Sequence, residues 1–111
     1  MKTHIKSKDH RTEEMFPGVI RQIIGYDSNI MMVKVSFAKG SLGYKHQHPH
    51  QQISYILSGK FEVNIDGKIE TLESGDAFIA PSNTEHELKC LEGGVIIDSF
   101  SPLRKDFLNK D

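Results

Sequence analysis

The sequence has no tryptophan, a single cysteine and four prolines among its 111 residues. A lone Cys90 cannot form an intramolecular disulfide, which fits a reducing compartment. Charge of one sign is also missing in excess: fourteen basic and fifteen acidic residues leave a net charge of -1. No basic block is present to track a phosphate backbone, so nucleic acid is not an expected partner. Long hydrophobic runs are absent as well. The longest aliphatic run, residues 30–33, is far too short to span a bilayer, and the first eighteen residues lack the apolar centre of a signal peptide. A soluble, cytoplasmic protein of one domain is expected, with its core over about residues 19–101 of 1–111.

What is present is period-two alternation. In residues 30–37, Met31, Val33, Val35 and Phe37 alternate with Met32, Lys34 and Ser36. Phe61, Val63 and Ile65 alternate with Glu62, Asn64 and Asp66, and Asp66-Gly67 is a strong hairpin signal. Residues 19–24, 53–57, 77–80 and 94–100 read as further strands between turns rich in glycine, proline, asparagine and serine. Short strands at even spacing predict an all-β, antiparallel double-sheet jelly-roll barrel. The one helical turn expected lies after Pro102, in LRKDFL.

Histidines are concentrated: three of the six, His46, His48 and His50, fall within five positions. On an extended strand, His46 and His48 project from one face, and His50 and Gln52 share that parity unless Pro49 distorts the strand. In EHELKC, His86 falls with Leu88 and Cys90 on the apolar face. That parity also reads Cys90 as a small buried hydrophobe. Neutral imidazole is the commonest metal ligand, and a site needs three or more donors. The competing reading is a set of surface loop histidines with His86 as a satisfied core residue. His4 and His10 lie in polar sequence and are expected to be solvated.

Asp98 alternates into the face of Ile96 and Phe100, where a carboxylate is costly unless paired or functional. Parity alone leaves both readings open. Arg104, beside Lys105 and Asp106, reads on its own as a solvated charge, and Tyr44 and Gln22 are weak pocket-lining candidates. Ile53, Tyr55 and Leu57 oppose Gln52, Ser54 and Ile56, so that strand needs cover on both faces. A homodimer is the expected cover.

Two spaced patterns resemble those of the cupin family. Gly40, His46, His48, Gln52 and Gly59 match its first motif, with glutamine in place of the usual glutamate. Gly75, Pro81, Asn83 and His86 match the second, with Asn83 in place of glycine and Cys90 in place of the final asparagine. The resemblance implies a small barrel holding one divalent metal ion, nickel, zinc, manganese, cobalt or iron, through His46, His48, Gln52 and His86. Gln51 is the alternative ligand if the strand bulges. Residues 33–67 and the tail DSFSPLRKDFL are similar to one cupin subfamily of pectin degradation that linearises unsaturated uronates. That similarity implies Asp98, Phe100 and Arg104 as active-site residues and a small-molecule uronate as substrate. The reaction implied converts a 4,5-unsaturated monouronate from pectin or alginate to the linear 4-deoxy-5-keto uronate. Because one fold hosts many chemistries, two alternatives stand: a metal-dependent dioxygenase for a small molecule, and a non-catalytic binder of sugar acids.

Overall fold

Alternating apolar residues give each strand one face for a shared interior. In the computed structural model, which describes residues 2–108, that interior is enclosed by β1 (Arg11–Phe16), β2 (Val19–Tyr26), β3 (Met31–Phe37), β4 (Leu42–His46), β5 (Gln51–Ile65), β6 (Lys68–Glu73), β7 (Ala77–Ala80) and β8 (His86–Ser101). A 3-10 turn, Ser7–Asp9, precedes them, and one helical turn, α1 (Lys105–Leu108), follows in the expected place. Residues 1 and 109–111 of the expected domain lie outside the described residues.

Every pairing is antiparallel. The long strands β5 and β8 pair along their length and belong to two sheets at once. One sheet runs β1-β2-β3-β8-β5-β7, and the other adds β4 to the first half of β8 and β6 to the second half of β5. This is the double-sheet barrel expected. Val33, Ile56, Phe61, Ala80, Cys90 and Ile96 are its most buried apolar residues, and Phe37 meets Phe61 edge to face at 5.3 Å. Burial raises the Cys90 thiol pKa, in keeping with an inert packing role. At the β5-β6 hairpin, Asp66 (φ 51°) and Gly67 (φ 87°) both adopt the left-handed conformation of a two-residue turn.

The structure departs from expectation in connectivity. Segments 53–57 and 61–65 form one strand rather than two, as do 86–90 and 94–100. Each survives the crossing between sheets because the β5-β8 register slips between Ile56 and Phe61. Glycines permit that slip: a Cβ on Gly59 (φ 88°) would lie 2.7 Å from the Glu92 carbonyl oxygen, and one on Gly94 would run into the Ser58 carbonyl. Strand β1 was not expected in so polar a stretch; it forms on the open edge of β2, with Glu13 opposite Arg21. Gly94→Ala should therefore lower unfolding stability by about 2 kcal/mol or more through overpacking. Urea unfolding of the variant beside wild type measures it.

Candidate metal centre and active site

His46 ends β4 directly across from His86, which opens β8. His48 lies just beyond β4, in a loop. Their ring centroids are 4.2 Å (His46 to His86), 5.0 Å (His48 to His86) and 5.5 Å (His46 to His48) apart. One ligating nitrogen from each falls within 4.8 Å of the others.

Backbone carbonyls set the tautomers. His46 Nδ1 lies 2.7 Å from the Tyr44 oxygen, His48 Nδ1 2.9 Å from that of His50, and His86 Nδ1 3.0 Å from that of Thr84. A carbonyl only accepts, so each Nδ1 carries the proton and donates it, leaving Nε2 as a lone pair. Burial, aided by the nearby Arg104 charge, lowers the His48 pKa to about 4, and burial lowers that of His86, so both rings are neutral at neutral pH.

Gln52, opposite Phe100 in the β5-β8 register, is 7 % exposed. Its Nε2 donates to Ser54 Oγ at 2.9 Å, and Ser54 Oγ donates to Asp98 Oδ1 at 2.6 Å. This relay turns Gln52 Oε1 toward His48 Nε2, 3.0 Å away. Two acceptors then face each other, while the buried His86 Nε2 has no hydrogen-bond partner. Buried lone pairs arranged in this way fit a shared cation. Three imidazoles and an amide oxygen form a neutral set suited to first-row divalent metals.

Asp98 faces Ser54 across β5 and β8. Burial raises its pKa to about 6, against the opposing effects of Ser54, Arg104 and Gln52. Phe100 is 4 % exposed, its ring 5.8 Å from that of His48. Arg104 arrives from the tail; its Nε and Nη2 donate to Asp106 at 3.0 and 2.7 Å, and its guanidinium sits 4.2 Å from the Phe107 ring centre. His46, Gln52, His86, Asp98, Phe100 and Arg104 line a single cavity of about 290 Å³. A larger cleft of about 910 Å³ lies between the amino-terminal segment and the outer sheet face, away from His46, His48 and His86.

Some candidates fall elsewhere. Gln51 points out, into that larger cleft. His50 leaves the cluster because residues 47–50 are not strand; its ring lies 5.5 Å from that of His48, and its buried Nδ1 has no hydrogen-bond partner among the described residues. Tyr44 lines the cavity, but Gln22 lies on the outer side, bonded to Thr12. Its neighbour Arg21 takes the inward place, 4 % exposed. Arg21 was missed, although it alternates with Val19 and Ile23 as Asp98 does with Ile96 and Phe100.

The cupin domain family matches residues 33–96, which span every histidine of the cluster and Gln52. The chain belongs to the cupin family. It is 48% identical over 98 residues to the pectin degradation protein KdgF of Dickeya dadantii, covering 86% of this chain and 89% of that protein. The structure of KdgF from a Halomonas species superposes with a TM-score of 0.89 at 38% identity, over 96% of this chain and 99% of that one. An RmlC-like cupin from Shewanella frigidimarina gives 0.91 at 40% identity, over 96% of each chain.

If this cupin's cluster holds a metal, the purified protein should carry close to one divalent ion per chain, removable by chelator. Removal of one first donor, as in His86→Ala, should weaken binding at least as much as loss of a supporting contact, about 10- to 100-fold. Elemental analysis and competition with a chelating dye give both numbers.

Proposed function

We propose that this cupin converts 4,5-unsaturated monouronates from pectin or alginate breakdown to the linear 4-deoxy-5-keto uronate, with one divalent metal held by His46, His48, Gln52 and His86. The observation that carries the reading is a half-buried carboxyl, Asp98, and a guanidinium, Arg104, sharing one small cavity with His46, Gln52 and His86 of the donor cluster. The name of the Dickeya relative, a pectin degradation protein, supports the same substrate class.

The reaction is an isomerisation. The C1 hydroxyl loses its proton as the bond from C1 to the ring oxygen breaks, giving an aldehyde and an enol; the enol gives up its hydroxyl proton and C4 takes one, giving a ketone. No atoms are gained or lost. Asp98, with its pKa raised to about 6, is suited both to accept a proton from oxygen and to return one to carbon. Ser54 holds the Asp98 carboxyl in place while donating to it. When bound, the metal supplies Lewis-acid polarisation of substrate oxygens. Arg104 has five N–H donors, of which Asp106 engages two groups from one edge, leaving donors for the substrate carboxylate. Phe100 offers an apolar surface against the sugar ring.

The active form is proposed to be a cytoplasmic homodimer. Ile53, Tyr55 and Leu57 are 52, 47 and 49 % exposed on the outer sheet face, and Met32 and Ile79 are exposed beside them. A second copy would cover this face. The buried, unpaired Cys90 suits a reducing compartment. No helix among the described residues is long and apolar enough to cross a membrane.

The deciding experiment mixes the protein with unsaturated monouronate under anaerobic conditions and follows loss of its ultraviolet absorbance, with and without chelator. Turnover above the spontaneous rate, abolished by chelation, is expected. Dependence on oxygen would point to a dioxygenase instead, and tight binding with unchanged ligand to a non-catalytic binder. Asp98→Asn should keep its metal yet lose about 100- to 10,000-fold in kcat, the range for an acid-base group. Wild-type turnover in that variant would remove Asp98 from the chemistry.

A further inference from the structure

Arg21 is a buried cation that the reaction described above does not use. It sits on β2 between Val19 and Ile23, 4 % exposed, directly across from Glu13 on β1. Its Nε donates to Glu13 Oε1 at 3.1 Å, and Nη2 contacts the same oxygen. The guanidinium lies over the ring of Phe107, 3.7 Å from its centre. Arg104 sits against that same ring at 4.2 Å, and Phe107 meets Phe100 at right angles, centres 5.6 Å apart.

A contact of this kind is needed because the tail is weakly ordered by its own bonds. Helix α1 has four residues, and the Phe107 amide bonds the Arg104 carbonyl in a single turn. One turn has no independent stability in water, so the place of Arg104 depends on what α1 packs against. If packing were the whole purpose, an aliphatic side chain at position 21 would serve without desolvating a charge. A flat cation adds attraction to the ring face and fixes its tilt. Direct contact of Arg21 with substrate is the weaker alternative, since its Nε and Nη2 are turned to Glu13 and its plane covers Phe107.

We propose that Arg21 is a positioning residue: by stacking on Phe107 it holds Arg104 in the cavity, in register with Asp98 and the donor cluster. The proposal rests on the reading of Arg104 as the carboxylate clamp. Arg21 and Phe107 themselves line the cavity, and Arg21 thus makes the amino-terminal hairpin part of the substrate site through the tail it orders.

Two measurements test it. In kinetics with unsaturated monouronate, Arg21→Met should raise KM about 5- to 10-fold and move kcat less than about twofold, the size expected for a lost cation-ring contact. In an Arg104→Ala background the same substitution should change KM by less than about twofold, because the two act through one path. The second measurement is hydrogen exchange of the Arg104 Nε–H by NMR on the full chain without substrate; Arg21→Met should speed it several-fold. A full KM effect that persists in the Arg104→Ala background, or unchanged exchange, overturns the proposal. Phe107→Leu, which leaves the Glu13-Arg21 pair intact, should reproduce both effects and replaces Arg21→Met if that variant does not fold. Should wild type fail to turn over the uronate, the functional reading falls, while the exchange measurement still decides whether Arg21 orders Arg104.

Discussion

The antiparallel register of β5 with β8 is the constraint on which the site depends. It sets Gln52 against Phe100 and Ser54 against Asp98, and it carries the far end of β8, with His86, back to Ile65. His46 then needs only to meet His86 from β4 for the donor atoms to gather. Because side chains alternate every residue, a slip of β8 by one position would turn Asp98 and Phe100 outward while Gln52 and Ser54 on β5 stayed inside, and the group would be split. The slip that does occur is confined between Ile56 and Phe61, where Gly59 and Gly94 let the two strands pass closely. Each sheet keeps its own pairing on either side of it, and Gln52, His86 and the Asp98 carboxyl stay on the cavity side.

Within that frame the cavity is organised by hydrogen bonds whose direction is forced. Three carbonyls, from Tyr44, His50 and Thr84, accept from three Nδ1 atoms and so free three Nε2 lone pairs to converge, those of His48 and His86 from buried rings and that of His46 from an exposed one. Asp98 commits Ser54, and Ser54 commits the Gln52 amide. Each polar group is thereby oriented before any ligand arrives, which reduces the reorganisation a reaction would otherwise require. On the proposed function, neutral donors would leave a metal's charge to be balanced by Asp98 and by an anionic substrate, with Arg104 available for the substrate carboxylate.

Much of this was legible in alternation alone: the strands, the hairpin at Asp66-Gly67, the inward carboxyl at position 98 and the inward histidine at 86. His46 and His48 were brought together by a different route from the one parity suggested. The strand stops at His46, and His48 reaches the cluster from a loop in which its ring is tied to the carbonyl of His50. Pro49 marked the irregularity without indicating its shape. β1 was not legible because its partner is chosen by the free edge of β2, a property of the assembled sheet. Arg21 was within reach of the parity argument applied to Asp98, but Phe107 was not: its role depends on where a one-turn helix docks, and no local pattern encodes that.

The amide at position 52 has a consequence that a carboxylate would reverse. Gln52 Nε2 stands 3.5 Å from Asp98 Oδ1 and shares Ser54 with it. A glutamate there would set two carboxylates at that distance, and without a cation on one of them such a pair does not readily ionise together; one keeps a proton whose position then depends on the pair. Ser54, with one hydroxyl proton, could donate to only one of them. Glutamine separates the two tasks. Its oxygen faces the histidines, its nitrogen donates toward Ser54 and Asp98, and Asp98 has an amide beside it where the usual cupin residue would place a second carboxylate. For a cavity that both holds a cation and moves a proton, as proposed for this one, the amide is the better group, and on that proposal the departure from the usual cupin glutamate helps keep Asp98 available for proton transfer.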